Sequence, residues 1–376
     1  MKIGLVCPYN LLNRGGGVQE CVFAMQTELS LRGHDVLIIS FQPRDYSGVV
    51  PSFVRLLGRG RDVKSPFNTT GQISVTVDMG QVDKLMQSEK FDILHFHEPW
   101  VPLLSHQLLM RSKAKNIATF HAKLPDTVMS RTIEKVITPY TKSLLKYFPT
   151  MTAVSDAAAM YVRSLTDHSI NIIPNGIDLI KYNKLEDKRL NTAEARQNSK
   201  HTESILYIGR LERRKGVKFL LKAVKKLQKA TPNVKLLIAG DGPDRAGLER
   251  YAREQGIQAE FLGRISESDK LKLLREVRVF CSPARYGESF GIVLLEAMAC
   301  GLPVVAGNNP GYATVLKDAG SMSLVDSRDI QEFANKLDVM MHDQSARKIW
   351  QKWAAAEVKQ YNYKNIVDQY EKLYNS

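Results

Sequence analysis

Short apolar runs alternate with segments of helical periodicity along the first half of the chain. Residues 2–7 are nearly all apolar, residues 18–32 repeat their apolar positions at helical spacing, and residues 36–41 are apolar again. Strands that alternate with helices in this order are typical of a parallel sheet covered by helices on both faces. Further strands are predicted at 93–97, 117–121, 151–154 and 170–173, with a helix at 133–148.

Pro174, Asn175 and Gly176 interrupt this alternation, and the polar segment 178–203 that follows lacks apolar periodicity. Such a composition is typical of a linker between domains. The alternation then resumes, so the sequence predicts an α/β protein of two doubly wound, Rossmann-like domains that face each other across a ligand-binding cleft. The second series has strands at 205–208, 235–239, 260–262, 279–281 and 303–306, helices at 217–230, 245–255, 266–276 and 291–299, and a helical end at 330–374.

The formal net charge of +14 is concentrated in two segments. Residues 205–230 contain nine Lys or Arg against one acid, and residues 100–150 contain eight against two. Most of these side chains are interpreted as solvated helix faces. The overall balance nevertheless favours an anionic partner, such as nucleotide phosphates, anionic lipid or nucleic acid.

Composition also argues against several classes of protein. No apolar run approaches the ~18 residues of a membrane-spanning helix, and the first residues are interpreted as a buried strand rather than a signal peptide. Cys7, Cys21, Cys281 and Cys300 are scattered without metal-type spacing. They are expected to be buried thiols in a reducing compartment.

Glu288 and Glu296 flank the most informative segment of the second half. A small glycine-bounded loop there runs into a predicted helix, and the N-terminus of a helix offers free N–H groups and a partial positive charge to a phosphate. Arg210 and Lys215 lie in another strand-to-helix turn, where an Arg can make bidentate contacts with a diphosphate and a Lys a point contact. The combination predicts a site for a nucleotide diphosphate joined to a group rich in hydroxyls.

The first half offers weaker signals. Gly15, Gly16 and Gly17 follow the first strand, where glycine lets the backbone approach a phosphate or sugar, but an ordinary turn also explains them. Their spacing differs from a dinucleotide-binding fingerprint.

Three histidines, His95, His97 and His121, end two predicted strands at one edge of the sheet. No Asp, Glu or Cys cluster near them in the sequence completes a metal site, so none is predicted. His121 is placed to position a sugar hydroxyl or a phosphate. No P-loop, Gly-x-Ser-x-Gly or Asp-x-Asp motif is present.

Together these motifs resemble the retaining glycosyltransferases of family 4, which have the GT-B fold. The first half is similar to the phosphatidylinositol mannosyltransferases, which move mannose from GDP-mannose to the inositol ring of a membrane lipid at the cytoplasmic face. The motifs that carry the resemblance are Gly209-Arg210 with Lys215-Gly216, Gly240-Asp241-Gly242-Pro243, Leu262-Gly263, Glu288-Ser289-Phe290-Gly291 with Glu296, Gly16-Gly17-Val18-Gln19, His95-Phe96-His97-Glu98-Pro99, Phe120-His121 and Pro174-Asn175-Gly176.

The resemblance implies a role for each candidate residue. Arg210 and Lys215 would neutralise the diphosphate, Glu288 would position the sugar, and Glu296 would hold the ribose hydroxyls. The leaving phosphate would take the proton of the acceptor, so neither a protein nucleophile nor a metal or other cofactor is implied. The implied catalytic residues are His121, Glu288, Arg210 and Lys215; the donor-binding residues are Gly16, Arg210, Lys215, Gly263, Glu288, Ser289, Phe290, Gly291, Ile292 and Glu296; and the acceptor-binding residues are Tyr9, Gln19, Thr119 and His121.

The resemblance also assigns the acceptor to residues 1–176, completed by a C-terminal helix at 356–376, and the donor to residues 177–355. It implies a nucleotide sugar, a lipid acceptor and an anionic membrane surface as partners, without nucleic acid. The implied location is the inner face of the plasma membrane.

The chain departs from those mannosyltransferases on the acceptor side. Residues 68–74 lack the expected Arg, and residues 77–90 have two lysines against three acids, where a strongly basic helix is expected. Arg55, Arg59, Arg61, Lys64 or the cations of 111–115 are candidates to substitute. The alternatives are a UDP-sugar donor with another lipid or soluble acceptor, a sugar-nucleotide epimerase, a phosphorylase, and a non-enzymatic anion or nucleic-acid binder.

Overall fold

The computed structural model describes residues 1–12, 16–43, 46, 48–64, 70–122, 128–183 and 203–376, with the side chains of all except 61–64, 70–76 and 128–136. The chain divides into two compact units. Unit 1 comprises Met1–Gly176 and Tyr363–Ser376, and unit 2 comprises Ile177–Asn362. The C-terminal segment that completes unit 1 was predicted to begin at residue 356, but it begins at Tyr363. The residues before it, including the 3₁₀ turn Val358–Tyr361, still belong to unit 2.

An eight-stranded sheet forms the centre of unit 1. Its strands are β1 (Lys2–Val6), β2 (Asp35–Gln42), β3 (Val54–Lys64), β4 (Thr70–Thr76), β5 (Ile93–His97), β6 (Lys115–Phe120), β7 (Thr150–Ala153) and β8 (Ile170–Ile172). Their order is β4-β3-β2-β1-β5-β6-β7-β8, parallel except for the antiparallel pair β3 and β4. The helices of unit 1 are α1 (Gly17–Leu31), α2 (Met79–Glu89), α3 (Leu104–Leu109), α4 (Val128–Leu145), α5 (Asp156–Arg163) and, after unit 2, α14 (Tyr363–Asn375).

The β3–β4 edge has no counterpart among the predicted strands. In β3 the alternating residues Gly58-Arg59-Gly60-Arg61 follow a short apolar start, so no continuous apolar run marks this strand in the sequence. Tertiary packing explains Gly60, since a Cβ there would lie 2.0 Å from Cε2 of Phe41. Of the acceptor-side segment 68–74, residues 68 and 69 lie outside the described residues, and the rest belongs to β4.

A six-stranded parallel sheet forms the centre of unit 2. Its strands are β9 (Ser204–Ile208), β10 (Lys235–Ala239), β11 (Ala259–Gly263), β12 (Val279–Ser282), β13 (Val304–Gly307) and β14 (Leu324–Val325). Their order is β11-β10-β9-β12-β13-β14, so the direction of winding changes between β9 and β12. The helices are α6 (Leu179–Asn183), α7 (Val217–Ala230), α8 (Arg245–Glu254), α9 (Glu267–Glu276), α10 (Ile292–Ala299), α11 (Pro310–Val315), α12 (Ile330–His342) and α13 (Gln344–Glu357).

Helix α7 follows the periodicity from which it was predicted. Val217, Leu220, Leu221, Val224 and Leu227 are buried on one face, and lysines occupy the other. The predicted linker 178–203 begins with α6, and its residues 184–202 lie outside the described residues. No helix within the described ranges is long and apolar enough to cross a bilayer.

The C-terminal helix α14 supplies part of the core of unit 1. Ile366, Val367, Tyr370 and Tyr374 are buried in the cluster that contains β1 and α1. Arg32, just after α1, forms ion pairs with acids of both helices: Glu28 at 2.9 Å, Asp368 at 2.6 Å and Glu371. Because its side chain is only 18% exposed, this network holds α14 against α1 more firmly than a surface pair would.

We expect Arg32→Met to destabilise unit 1 by about 1–3 kcal/mol, because it removes charge-assisted hydrogen bonds from a half-buried network. Urea denaturation measures this loss. Arg328→Met, which breaks an exposed pair with Asp326, is the matched control and should change stability by less than about 0.5 kcal/mol. Equal effects of the two substitutions would contradict the assigned role of Arg32.

Candidate active site

The loop after β9 places two of the predicted cations in different surroundings. Arg210 is half exposed, and its Nη1 lies 3.5 Å from Oε1 of the buried Glu212. Lys215 ends the 3₁₀ turn Arg213–Lys215. The turn stops at Gly216, whose φ of +74° favours glycine and whose added Cβ would lie 2.3 Å from the carbonyl oxygen of Pro283. This close approach fixes the loop after β9 beside the loop after β12.

Glu288 joins these two loops through its carboxylate. Its Oε1 lies 2.8 Å from Nζ of Lys215 and accepts a hydrogen bond of 2.6 Å from Nη1 of Arg214. Arg214 also donates to Oε2 of Glu212 at 3.0 Å. Burial opposes the charge of Arg214, but Glu288 and Glu212 outweigh it and raise the pKa of the guanidinium. Lys215 and Glu288, which were each predicted as site residues, are thus in direct contact.

Arg214 is a member of this site that the sequence did not single out. It lies within a run of cations, and only the fold distinguishes it from Arg213, which is exposed. Its contact with the carbonyl oxygen of Gly287, at 3.2 Å, further orients the loop that carries Glu288.

Ser289, Phe290, Gly291 and Ile292 form the turn into α10, where the sequence predicted that a helix begins. That this N-terminus faces a phosphate stays a prediction. Gly291 has a φ of +111°, and an added Cβ would lie 2.8 Å from the ring of Tyr312. Phe290 is buried, and its ring meets that of Tyr361 edge-on at 5.8 Å. The first backbone N–H groups of α10 have no partner within the helix and are suited to an anion.

Glu296, predicted to hold ribose hydroxyls, is buried with two partners on one oxygen. Its Oε1 accepts a hydrogen bond of 2.7 Å from the Tyr182 hydroxyl and lies 2.6 Å from Nζ of Lys270. Burial opposes the charge of Lys270, but Glu296 and Glu267 outweigh it and raise the pKa of the ammonium. Tyr182 and Lys270 carry no motif in the sequence, and only the tertiary structure brings them to Glu296.

Gly263, the remaining donor residue of unit 2, ends β11. Its φ is +70°, and its carbonyl oxygen accepts a hydrogen bond of 2.7 Å from the backbone N–H of Gly240. This contact aligns the ends of β10 and β11 at the same edge of the sheet as the loop after β9.

In unit 1, Thr119 lies inside a buried polar network rather than on a surface. Nε2 of His95 and the hydroxyl of Thr152 each lie 2.6 Å from its hydroxyl. Nδ1 of His95 lies 2.8 Å from the Tyr374 hydroxyl on α14. Thr119 is fully buried and its hydroxyl is engaged by protein groups, so the structure shows a structural role for it, and its contact with an acceptor stays a prediction.

His97 and His121 are brought together at the ends of β5 and β6. Nδ1 of His97 lies 2.8 Å from Nε2 of His121, and both rings are buried. Burial lowers the pKa of His121 to about 4 and that of His97 well below its ordinary value, so both imidazoles are neutral at pH 7.

Glu98 anchors the backbone that carries His121. Its Oε1 accepts hydrogen bonds from the N–H groups of His121 and, at 2.6 Å, Ala122, while the Trp100 indole donates to its Oε2. Burial raises the pKa of the carboxyl to about 7, and the two backbone donors oppose that rise. Glu98 also has a φ of +53°, which is uncommon outside glycine.

Cys21 of α1 lies beside this histidine pair, and one ligand atom from each of the three residues falls within 4.8 Å of the others. The sequence did not indicate this neighbour, because Cys21 is distant from both histidines along the chain. A metal ion would compete with the hydrogen bond between His97 and His121. The absence of a metal therefore stays a prediction.

The other predicted residues of unit 1 lie near the start of α1. Gly16 is the N-cap residue directly before α1, and Gln19 donates a hydrogen bond of 3.2 Å to the carbonyl oxygen of Asn10. Tyr9 is partly buried against the core. Gly15 lies outside the described residues.

Two family models match the chain: Glycosyltransferase Family 4 over residues 15–181 and Glycosyl transferases group 1 over residues 190–357. A phosphatidyl-myo-inositol mannosyltransferase of Mycolicibacterium smegmatis is 31% identical over 382 residues, covering 100% of this chain and 94% of the relative. That of Propionibacterium freudenreichii is 32% identical over 326 residues, covering 85% of this chain and 80% of the relative.

Solved structures share the fold over the full chain. Sucrose-phosphate synthase from Thermosynechococcus elongatus superposes with a TM-score of 0.77 at 20% identity, covering 100% of this chain and 98% of that one. Anabaena HepE in complex with UDP and glucose gives 0.76 at 18% identity, covering 100% of both chains. The two Rossmann-like units are thus those of the GT-B fold.

We expect unit 1 to lose stability as the pH falls from about 6.5 towards 4. Burial lowers the pKa of His95 to about 3 and that of His121 to about 4, and His97 is lowered as well, whereas the unfolded chain protonates near 6.5. Below about pH 6.5 the unfolded state therefore binds more protons than the folded state. The free energy of unfolding decreases as the pH is lowered. The raised pKa of Glu98 has the opposite effect on stability, because the folded state takes up a proton there first, but Glu98 is one group against three imidazoles.

Urea denaturation at pH 7.5 and pH 5.0 measures this loss for the wild type and for His95→Asn. Other titrating groups cancel in the comparison. The variant should lose less stability, with a slope smaller by up to about 1.4 kcal/mol per pH unit. The same pH dependence in both proteins would refute the assignment of a neutral, buried His95.

Proposed function

The chain belongs to glycosyltransferase family 4, and we propose that it transfers mannose from GDP-mannose to phosphatidylinositol, with retention of configuration, at the cytoplasmic face of the membrane. The observation that carries this proposal is the full-length similarity to phosphatidyl-myo-inositol mannosyltransferases. It is supported by the contact between Lys215 and Glu288, which both belong to the motifs that resemble that family.

On the donor side, Arg210, Lys215 and the N-terminus of α10 are assigned to the diphosphate. Cleavage of the sugar–phosphate bond leaves negative charge on the departing oxygen, and preorganised cations and N–H groups stabilise that charge without reorganisation. Arg210 has a half-exposed side chain that is able to turn towards a ligand. This arrangement supplies the stabilisation for which other enzymes use a metal ion, so we expect transfer to proceed in the presence of EDTA.

Glu288 and Glu296 are assigned to hydroxyl groups. Lys215 and Arg214 hold Glu288 by Oε1, and Tyr182 and Lys270 hold Glu296 in the same way. A carboxylate fixed through one oxygen is suited to accept hydrogen bonds from sugar and ribose with the other. Neither acid is assigned as a nucleophile. The leaving phosphate oxygen takes the proton of the acceptor hydroxyl on the same face.

On the acceptor side, His121, Tyr9 and Gln19 are assigned to the inositol ring. Of the cations expected to replace the missing Arg of 68–74, Arg111 is paired with Asp83 at 2.5 Å and Arg55 lies 3.9 Å from Glu89. Acids of α2 thus engage both arginines, so neither is free to take the place of the missing Arg. For this reason the second candidate acceptor is another inositol lipid or a soluble inositol. The side chains of Arg61 and Lys64 lie outside the described residues.

A screen of donors against acceptors tests the proposal. GDP-mannose, UDP-glucose and UDP-N-acetylglucosamine are each combined with phosphatidylinositol vesicles, phosphatidylglycerol vesicles and free myo-inositol, and products are identified by mass spectrometry. Mannosylated phosphatidylinositol is the expected product. Transfer only from a UDP-sugar favours the alternative donor, epimerised sugar nucleotide favours the epimerase, and no turnover with any pair favours a binding protein.

We expect Arg210→Ala and Lys215→Ala each to weaken GDP binding by at least about tenfold, because each removes a charge-assisted contact with phosphate. Isothermal titration calorimetry measures the dissociation constant. Lys229→Ala, an exposed cation at the end of α7, is the control and should bind GDP as the wild type does. Unchanged GDP affinity in both site variants would remove them from the donor site.

We expect Glu288→Gln to lower kcat by at least about tenfold while GDP binds no more weakly. The substitution disturbs sugar positioning but removes a negative charge beside Lys215. Steady-state kinetics and calorimetry separate these effects. Glu249→Gln, which alters a pair with Arg245 on α8, controls for the loss of a carboxylate. A normal kcat would show that Glu288 does not position the sugar.

A further inference from the structure

A cavity of about 600 Å³ lies in unit 2, between the beginnings of α7 and α8 and the loop that follows β12. We call it the basic cavity, because its lining includes Arg213, Lys218, Lys222, Arg250 and Arg285. Arg210, Lys215, Glu288 and Glu296 are not among its lining residues, although Glu212, Arg213 and Gly216 of the loop after β9 are, so the cavity adjoins the proposed donor site and has a different lining. Its volume is within the range of pockets that bind small molecules and exceeds the needs of a single inorganic ion.

The charge of these five side chains is not balanced by acids. Within the part of the chain that the structure describes, Arg111, Arg245 and Arg328 pair with carboxylates, whereas none of the five cavity cations forms an ion pair. The lining includes two acids: Glu212, which is engaged by Arg210 and Arg214, and Asp244. The cavity therefore has an excess of positive charge available to a ligand.

Aromatic rings hold several of these cations in place. The guanidinium of Arg285 lies 5.1 Å from the ring centroid of Phe219, and Nζ of Lys222 lies 5.9 Å from the same centroid. Nζ of Lys218 lies 5.4 Å from the ring of Tyr251. Such contacts restrict the side chains without neutralising their charge, which lowers the entropic cost of binding an anion.

The positive surface continues along α7 beyond the cavity. Lys226 and Lys229 follow Lys218 and Lys222 at spacings that keep them on one exposed face, opposite the buried Leu220 and Val224. An anionic ligand on an extended surface, such as a membrane, would contact both the cavity and these lysines of α7.

From these observations we infer that the basic cavity is a second anion site, which binds an organic phosphate carrying more than one negative charge. The guanidiniums of Arg213, Arg250 and Arg285 are suited to bidentate contacts with phosphate oxygens, and Lys218 and Lys222 supply point charges. The phosphate group has two possible sources, the headgroup of an anionic lipid or a soluble polyphosphate. The inference rests on the lining of the cavity, and only the GDP controls of its test rest on the proposed function.

The test compares two double variants of the full chain. Lys218→Glu/Lys222→Glu reverses two cavity charges on α7. Lys348→Glu/Lys352→Glu is the matched control, because these are exposed lysines at the same spacing on α13, without ion pairs among the described residues. Circular dichroism and GDP affinity confirm that each variant is folded and that its donor site is intact.

One arm measures flotation with phosphatidylcholine vesicles containing phosphatidylinositol 4-phosphate, with pure phosphatidylcholine vesicles as reference. The other measures binding of inositol hexakisphosphate by calorimetry, in the presence of saturating GDP to occupy the donor site. We expect the α7 variant to bind at least about tenfold more weakly than the control variant in one arm or both. Loss with vesicles alone assigns the lipid source, and loss with the soluble ligand assigns the free phosphate.

Arg285→Gln provides a second measurement, since it removes a guanidinium without reversing charge. It should weaken the same ligand at least about threefold. Equal binding by the α7 variant and the wild type in both arms would overturn the inference, as would an equal loss in the α13 control. A third titration, with a single-stranded RNA oligonucleotide, covers nucleic acid: if the α7 variant loses affinity only for RNA, the inference is overturned.

Discussion

A carboxylate shared by two cations holds together the two loops of the candidate site in unit 2. Lys215 and Arg214 follow β9, Glu288 follows β12, and these strands are neighbours at the point where the winding of the sheet reverses. Removing ionic side chains from water is costly unless they are paired, so three partly buried charges fix one another's positions. The turn into α10 comes directly after Glu288 and is fixed with it.

In unit 1, buried polar groups likewise fix one another's positions by hydrogen bonds. Strands β5 and β6 are paired, and their ends bring His97 and His121 together. Glu98 accepts hydrogen bonds from the backbone N–H groups of His121 and Ala122, which directly follow β6. In both units, a carboxylate at the end of one strand orients the loop after its neighbour. An enzyme that positions a transferred group gains from such rigidity, because small displacements at the reacting centre reduce the rate strongly.

The elements that were predicted well are those whose local pattern agrees with their tertiary environment. Helix α7 has an unbroken amphipathic repeat, and its bounds agree with the prediction. Strand β3 is different, because it lies next to the edge of the sheet, is rich in Arg and Gly, and accommodates Phe41 above Gly60. Thr119 was assigned to the acceptor from the family resemblance. The sequence did not reveal that its hydroxyl lies in a buried network with His95 and Thr152, because the period of a strand does not show whether a polar side chain faces solvent.

The sequence by itself indicated two series of alternating strands and helices, most strands of both sheets and the break at Gly176, because periodicity and turn chemistry are local properties. The donor role of the motif residues stays a prediction. The tertiary structure alone decided which charges are partnered. Arg214 contacts Glu288, Lys270 and Tyr182 contact Glu296, and α14 returns to the core of unit 1. Among the described residues, the five cations of the basic cavity form no ion pair. Electrostatic pairing depends on distance and burial in three dimensions, and neither is encoded in the spacing of residues along the chain.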